Sequence, residues 1–144
     1  MIVRVYDEKR ADKCDTLLTR LIQDERQYDD SIDLKFVVKD YFKNVIKDIN
    51  NILLCYEENS ILMGYIFLKP IVNDNKKGYI IDGLYVESEY RNKGIATKLI
   101  KEGISLIDDA LFVDINVMAN NMKALKLYKS LGFNEFKITL RKDL

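Results

Sequence analysis

A short run of residues has the makings of an anion site. Arg91-Asn92-Lys93-Gly94-Ile95-Ala96, an R-x-x-G-x-A element, lies between the strand that ends Leu84-Tyr85-Val86 and the first turn of a helix. The N–H groups of a first turn have no partner within their helix, and the positive end of the helix dipole lies there. Gly94 lets the backbone turn and approach a ligand closely. Ala96 is too small to push a phosphate away, and Arg91 and Lys93 add positive charge beside the donors. The same residues would also serve a surface turn with two solvated bases. A second element runs Asn121-Met122-Lys123-Ala124-Leu125-Lys126-Leu127-Tyr128-Lys129-Ser130-Leu131-Gly132-Phe133. Asn121 is a good N-capping residue, and Ala124, Leu127, Tyr128 and Leu131 share one helical face, where Tyr128 reads as a half-buried aromatic. The chain has no histidine. Ser-His-Asp and Cys-His nucleophiles, histidine general bases and histidine-ligated metals are therefore excluded. Acid–base work falls to a carboxylate, Tyr, Lys, Cys or water.

These elements need a scaffold, and 144 residues with 23 Lys+Arg against 23 Asp+Glu suit one soluble domain, 1–144. Zero net charge gives no global pull toward nucleic acid. Ile2–Tyr6 reads as a strand and 11–26 as a helix with Cys14, Leu17, Leu18, Leu21 and Ile22 at helical spacing. A second helix is predicted from about Lys35 to Asp48, with Val38, Tyr41, Phe42, Val45, Ile46 and Ile49 on one side. Asn51–Tyr56, Ser60–Lys69 and Tyr79–Val86 read as an antiparallel meander. The stripe Ile95, Ala96, Leu99, Ile100, Gly103, Ile104 and Ile107 marks the clearest helix. Leu111–Val117 is a buried strand, Met122–Ser130 a short helix with Gly132 at its C-cap, and Phe133–Leu140 a closing strand. The order is β-α-α-β-β-β-α-β-α-β. The fold class is α/β with a mixed sheet, and the β-α-β unit from Tyr79 to Val117 makes its two strands parallel.

The two elements, in this order and at this separation, resemble the GNAT superfamily of acyl-CoA-dependent N-acetyltransferases. Tyr79–Ala96 is similar to its acetyl-CoA motif, R/Q-x-x-G-x-G/A, and Asn121–Phe133 to its N-x-x-A-x-x-x-Y-x-x-x-G-F motif. Ala96 stands where Gly is commoner. The resemblance implies acetyl-CoA as cosubstrate, with its pyrophosphate held by backbone N–H groups of Asn92, Lys93, Gly94, Ile95, Ala96 and Thr97 and with Arg91 nearby. It implies that the backbone of the Leu84-Tyr85-Val86 strand pairs with the pantetheine arm through Leu84 and Val86. The Leu84 amide would face the thioester carbonyl where the strand bulges, for which Gly83 is suited. Asn121 would touch the pantetheine and Tyr128 would lie near the sulfur. A tyrosine hydroxyl, pKa ~10, can protonate a departing thiolate, which makes Tyr128 the expected general acid. Asp82 falls where polyamine- and aminoglycoside-acetylating relatives carry Glu. It is either a base, one methylene short and working through water, or a carboxylate satisfied at the strand end or by a nearby Lys.

The resemblance implies an acceptor pocket built largely by the first two helices, their connecting loop and the last strands. Here that loop holds Asp24, Glu25, Tyr28, Asp29, Asp30 and Asp33. A cationic small amine, polyamine- or aminoglycoside-like, is the expected acceptor, with Tyr28, Asp29, Asp30 and Asp82 as substrate residues. A solvated acidic loop is the plain alternative. A protein N-terminal or lysine acetyltransferase and a non-catalytic acyl-CoA-binding module are the other functional classes. Cys14 and Cys55 form no C-x-x-C pair and read as small buried hydrophobes; within the resemblance Cys55 matches no nucleophile position, which implies direct transfer in a ternary complex rather than an acyl-enzyme. No metal is expected. The early charges and short apolar runs predict a cytoplasmic protein with no membrane or nucleic-acid partner. The family resemblance adds a homodimer, with the last strand as a candidate edge.

Overall fold

The computed structural model describes residues 1–144. Strand β1 (Ile2–Arg4) leads to helix α1 (Glu8–Asp24), then a 3-10 turn at Glu25–Gln27 and a one-turn helix α2 (Phe42–Val45). The meander follows as β2 (Ile52–Glu58), β3 (Ile61–Asn73) and β4 (Lys76–Val86). A 3-10 turn (Ser88–Tyr90), α3 (Ile95–Ser105), β5 (Val113–Ile115) and α4 (Met122–Ser130) complete the order. The sheet runs β1-β2-β3-β4-β5. Every pair is antiparallel except β4 with β5, which are parallel.

Alternation along the central strands gives the sheet two apolar faces. Leu53, Cys55, Tyr65 and Phe67 point to α1 and α2, where they meet Cys14, Leu17 and Phe42. Ile52, Leu54, Ile66 and Leu68 point the other way, onto Leu99 and Ile100 of α3. Helix α1 starts where the Asp7 side chain accepts the Arg10 N–H at 3.0 Å, and its apolar stripe is buried from Ala11 through Leu17. No helix is long and apolar enough to cross a membrane.

Three expected elements differ, the first being the buried strand over Leu111–Val117, which shortens to the half-buried Val113–Ile115 and leaves Leu111 exposed. The helix predicted from Lys35 to Asp48 shrinks to Phe42–Val45, and the stretch before it is irregular, with a turn at Leu34-Lys35. Side chains on one face of α1 hold that stretch by its backbone. Phe42 N–H donates to the buried Asp15 carboxylate at 3.0 Å, and Val38 N–H to Thr19 Oγ1 at 3.0 Å. The Gln23 amide donates to the carbonyls of Asp33 and Phe36 at 3.0 and 2.9 Å. These α1 residues recur at a four-residue spacing, so they form one stripe. Asp40, in the left-handed region at φ 57, stops a helix from running back from Phe42. The closing strand expected over Phe133–Leu140 does not form, so no strand follows α4. A strand persists only with a ladder partner, and β5 is three residues long. Phe136, Ile138 and Leu140 remain exposed.

Candidate active site

The start of α3 is built around backbone donors. Asn92 and Gly94 both adopt left-handed conformations, at φ 63 and φ 79. A side chain is strained at such a φ, which is why glycine serves at position 94, and a Cβ there would meet no protein atom within 4 Å. The first α3 bond runs from Lys98 N–H to the Gly94 carbonyl. The N–H groups from Asn92 to Thr97 have no hydrogen-bond partner in the protein. Gly94 supplies no side-chain cap either. Such a run of open amides at a helix start fits an anion.

Arg91 braces this loop. Its Nε donates to the Val86 carbonyl at 2.7 Å, its Nη2 pairs with Asp24 at 3.1 Å, and its guanidinium stacks 5.2 Å from the Tyr85 ring centroid. It thereby ties the loop to the end of β4 and to the end of α1. Lys93 is exposed, with its ammonium 5.8 Å from the Tyr90 ring.

Strand β4 loses its parallel neighbour halfway along. It pairs with β5 only through Tyr79, Ile80 and Ile81. The β3–β4 register shows why it changes there. Phe67 faces Gly83 but Leu68 faces Ile81, so Asp82 is the extra residue of a β-bulge. Gly83 is required by close packing, since a Cβ would sit 2.6 Å from the Tyr65 hydroxyl. Glu87 N–H donates to the Met63 carbonyl of β3. By strand alternation the N–H groups of Leu84 and Val86 then turn to the other edge, the one β5 has left.

Helix α4 packs Tyr128 against the apolar cluster on the α3 face of the sheet. Asn121 caps the helix, its Oδ1 accepting the Ala124 N–H at 3.3 Å. The other end closes with Gly132 at φ 94, Gly132 N–H on the Lys129 carbonyl and Phe133 N–H on the Tyr128 carbonyl, a Schellman motif. Tyr128 is half-buried, and burial raises its phenol above the ordinary tyrosine value. Leu84, Ala96 and Tyr128 all pack against the apolar cluster that contains Val86, so the end of β4, the α3 start and α4 share one core.

Asp82 faces the α1 side. Its carboxylate pairs with Lys69 Nζ at 3.5 Å. Tyr41, raised by burial, also feels the Asp82 and Lys69 charges. Tyr65 is fully buried with an unpartnered hydroxyl. Burial raises it most, with Cys14, Asp82, Tyr41 and Glu25 adding. Tyr28, Asp29 and Asp30 lie apart, on the loop after α1, and no ion pair or hydrogen bond joins them to Asp82. The Ser31 hydroxyl and N–H hold the Asp29 carboxyl low, and Arg141 of the tail adds to this. Sequence reading missed Lys69, Tyr41 and Tyr65, whose roles depend on neighbours distant in the chain. It missed the Asp15-Thr19-Gln23 stripe too, although its four-residue spacing was there to find.

A family model described as "Acetyltransferase (GNAT) family" matches residues 16–133. The chain belongs to the GNAT acetyltransferases. It is 36% identical over 62 residues to the L-amino acid N-acetyltransferase AaaT of Escherichia coli K12, covering 40% of this chain and 38% of that one. The chain spans less than half the length of the curated relatives it matches. Among solved structures it is similar to a mutant form of the BH1408 protein from Bacillus halodurans. The TM-score there is 0.84 at 17% identity, over 100% of this chain and 99% of that one. It is also similar to the aminoglycoside N-acetyltransferase AAC(6')-Iy in complex with CoA, with TM-score 0.72 at 14% identity over the whole of both chains. These two structures share the fold of this chain, a mixed α/β fold on a five-stranded sheet.

Proposed function

We propose that this GNAT chain moves an acetyl group from acetyl-CoA to the primary amine of a small cationic molecule, by direct attack with both substrates bound. One observation carries the reading: the open N–H groups from Asn92 to Thr97 adjoin the β4 edge that β5 has vacated. A diphosphate suits the former, and a chain bearing amides suits the latter, where Leu84 and Val86 can pair with it as another strand would. The cosubstrate supplies an acetyl group activated as a thioester. A neighbour of the same fold is named in complex with CoA, and a partial relative is named for acetylating amino acids.

The chain's own residues do the rest. Leu84 N–H stabilises negative charge on the carbonyl oxygen, an effect worth a few kcal/mol from a preorganised donor. Asp82, acting through a water, takes one proton from the ammonium. The nitrogen–carbon bond forms and the carbon–sulfur bond breaks. Tyr128 gives its hydroxyl proton to the departing sulfur and recovers one from the nitrogen through solvent. The amine thus loses two protons, of which sulfur keeps one and solvent the other. No thiolate competes as nucleophile, since Cys55 is fully buried and burial pushes its thiol up to about 11. The acidic loop residues Asp29 and Asp30 support an acceptor that carries positive charge.

Calorimetry with acetyl-CoA and free CoA tests the first step, and CoA-thiol release across polyamines, aminoglycosides, amino-acid amides and peptides tests the second. Binding with turnover of an amine is expected. No heat of association would remove the transferase reading. Binding without turnover of any amine, unchanged by Tyr128→Phe, would leave an acyl-CoA-binding module.

A further inference from the structure

The α1–α2 segment leaves an open apolar groove that includes Tyr41, the residue on which the Asp82 charge acts. Leu18 and Ile22 of α1 form one wall; Phe36, Val37, Val38 and Tyr41 form the other. Its volume is ≈ 440 Å³, within the ~300–1,000 Å³ of small-molecule sites. The groove exists because the Asp15, Thr19 and Gln23 side chains hold the segment by its backbone, which leaves its side chains free to face outward. Phe36, Val37 and Tyr41 are 45%, 59% and 38% exposed, an apolar strip that the fold itself does not cover.

Two features say what the groove takes. It is continuous with the acceptor side of the site. Tyr41 lines it, stacks edge-on to Phe67 at 6.4 Å, and Phe67 is the β3 residue opposite Gly83, next to Asp82. Its charge is also wrong for a polycation. Lys39 is the one charged residue among those lining it, and no carboxylate joins it. At the Tyr41 end stands Asp82, already paired with Lys69. Only one oxygen of that carboxylate faces Lys69, so the other can take one ammonium, whereas a second ammonium lying along the groove would meet Lys39 without a counter-ion.

Resting on the transferase reading above, we infer that the acceptor is a monoamine whose carbon next to nitrogen bears a branched or aromatic apolar substituent. The ammonium goes to Asp82 and the substituent goes between Ile22 and Val37.

The test is CoA-thiol release with L-leucinamide, L-phenylalaninamide, glycinamide and spermidine, after acetyl-CoA binding has been measured by calorimetry. A pocket gains about 10-fold or more in kcat/KM for each well-packed methylene. Leucinamide or phenylalaninamide should therefore exceed both glycinamide and spermidine by at least about 10-fold. Val37→Asp puts a charge into the groove at an exposed position the core does not need, and it should collapse the leucinamide-to-glycinamide ratio. Equal or better turnover of glycinamide or spermidine overturns this inference and leaves the transferase standing. So does an unchanged ratio in Val37→Asp. Binding of acetyl-CoA with no turnover of any amine overturns both.

Discussion

The Phe133 ring stands edge-on to the Tyr128 ring, centroids 6.2 Å apart at 62°. The pairing follows from the helix end. Gly132 turns left-handed, so the Phe133 N–H reaches back to the Tyr128 carbonyl and the two side chains meet. The G-F of the motif thus serves to hold the tyrosine. Gly132→Ala should cost about 1 kcal/mol through the left-handed backbone. It should lower kcat more than it raises the KM for acetyl-CoA, because it moves Tyr128 and leaves the α3 donors alone. Equal effects on both parameters would deny that role to the turn.

Tyr128→Phe isolates the hydroxyl. The ring and its contact with Phe133 remain, so CoA affinity and the thermal midpoint should stay near wild type. Turnover should fall by about 100-fold or more, the low end of what a positioned acid contributes. Wild-type turnover should also persist to higher pH than an ordinary tyrosine would allow, since burial raises this phenol. A pH–rate profile of kcat and titration of CoA binding check both statements.

Gly94→Glu separates binding from folding at the α3 start. The space beside Gly94 is empty of protein, so the substitution costs only the strain of a side chain at φ 79, about 1–2 kcal/mol. Its carboxylate would stand among the open amides and repel a diphosphate. Calorimetric affinity for CoA should be lost while circular dichroism is retained. A variant that binds CoA normally would move the diphosphate elsewhere.

The helix ends were legible in the sequence because their determinants are local: Asn121 and Gly132 each act within a few residues. The bulge was half legible. Gly83 announced an irregularity, but only pairing with β3 shows that Asp82 is the residue left over. The stretch before Phe42 misled because Val38, Tyr41, Phe42 and Val45 do recur at helical spacing. What decides its backbone is the distant polar stripe on α1, together with the weak helix propensity of adjacent Val37 and Val38. Phe136, Ile138 and Leu140 alternate as a strand does, yet a strand needs an edge, and local pattern does not say whether one is offered.

That stripe makes its own prediction. Asp15→Ala leaves the Phe42 N–H buried without an acceptor, which should cost about 1–3 kcal/mol, whereas Asp15→Asn keeps an oxygen there and should cost less. Hydrogen exchange at the Phe42 and Val38 amides should quicken in Asp15→Ala ahead of amides in β3. Uniform quickening over the whole chain would mean that Asp15 supports the core and not the segment.

Cys55 contributes to the pH dependence of folding above pH 9. Burial, with Glu57 adding, lifts its thiol from 9.0 to about 11. Below pH 9 folded and unfolded chains both hold the proton, so the group contributes no slope. Between pH 9 and 11 the unfolded thiol ionises and the folded one does not. The unfolded state then binds fewer protons, and stability falls as pH rises. Above pH 11 the loss levels off at about 2–3 kcal/mol, from ~1.4 kcal/mol per pKa unit. Cys14 and Tyr65 are raised by burial in the same core and act in the same direction, so the wild-type slope alone does not isolate Cys55. Cys55→Val does. It keeps an apolar side chain in place, and denaturant midpoints followed from pH 8 to 11 should decline less steeply than in the wild type. Coincident slopes would mean that the unfolded chain shelters the thiol as well as the fold does.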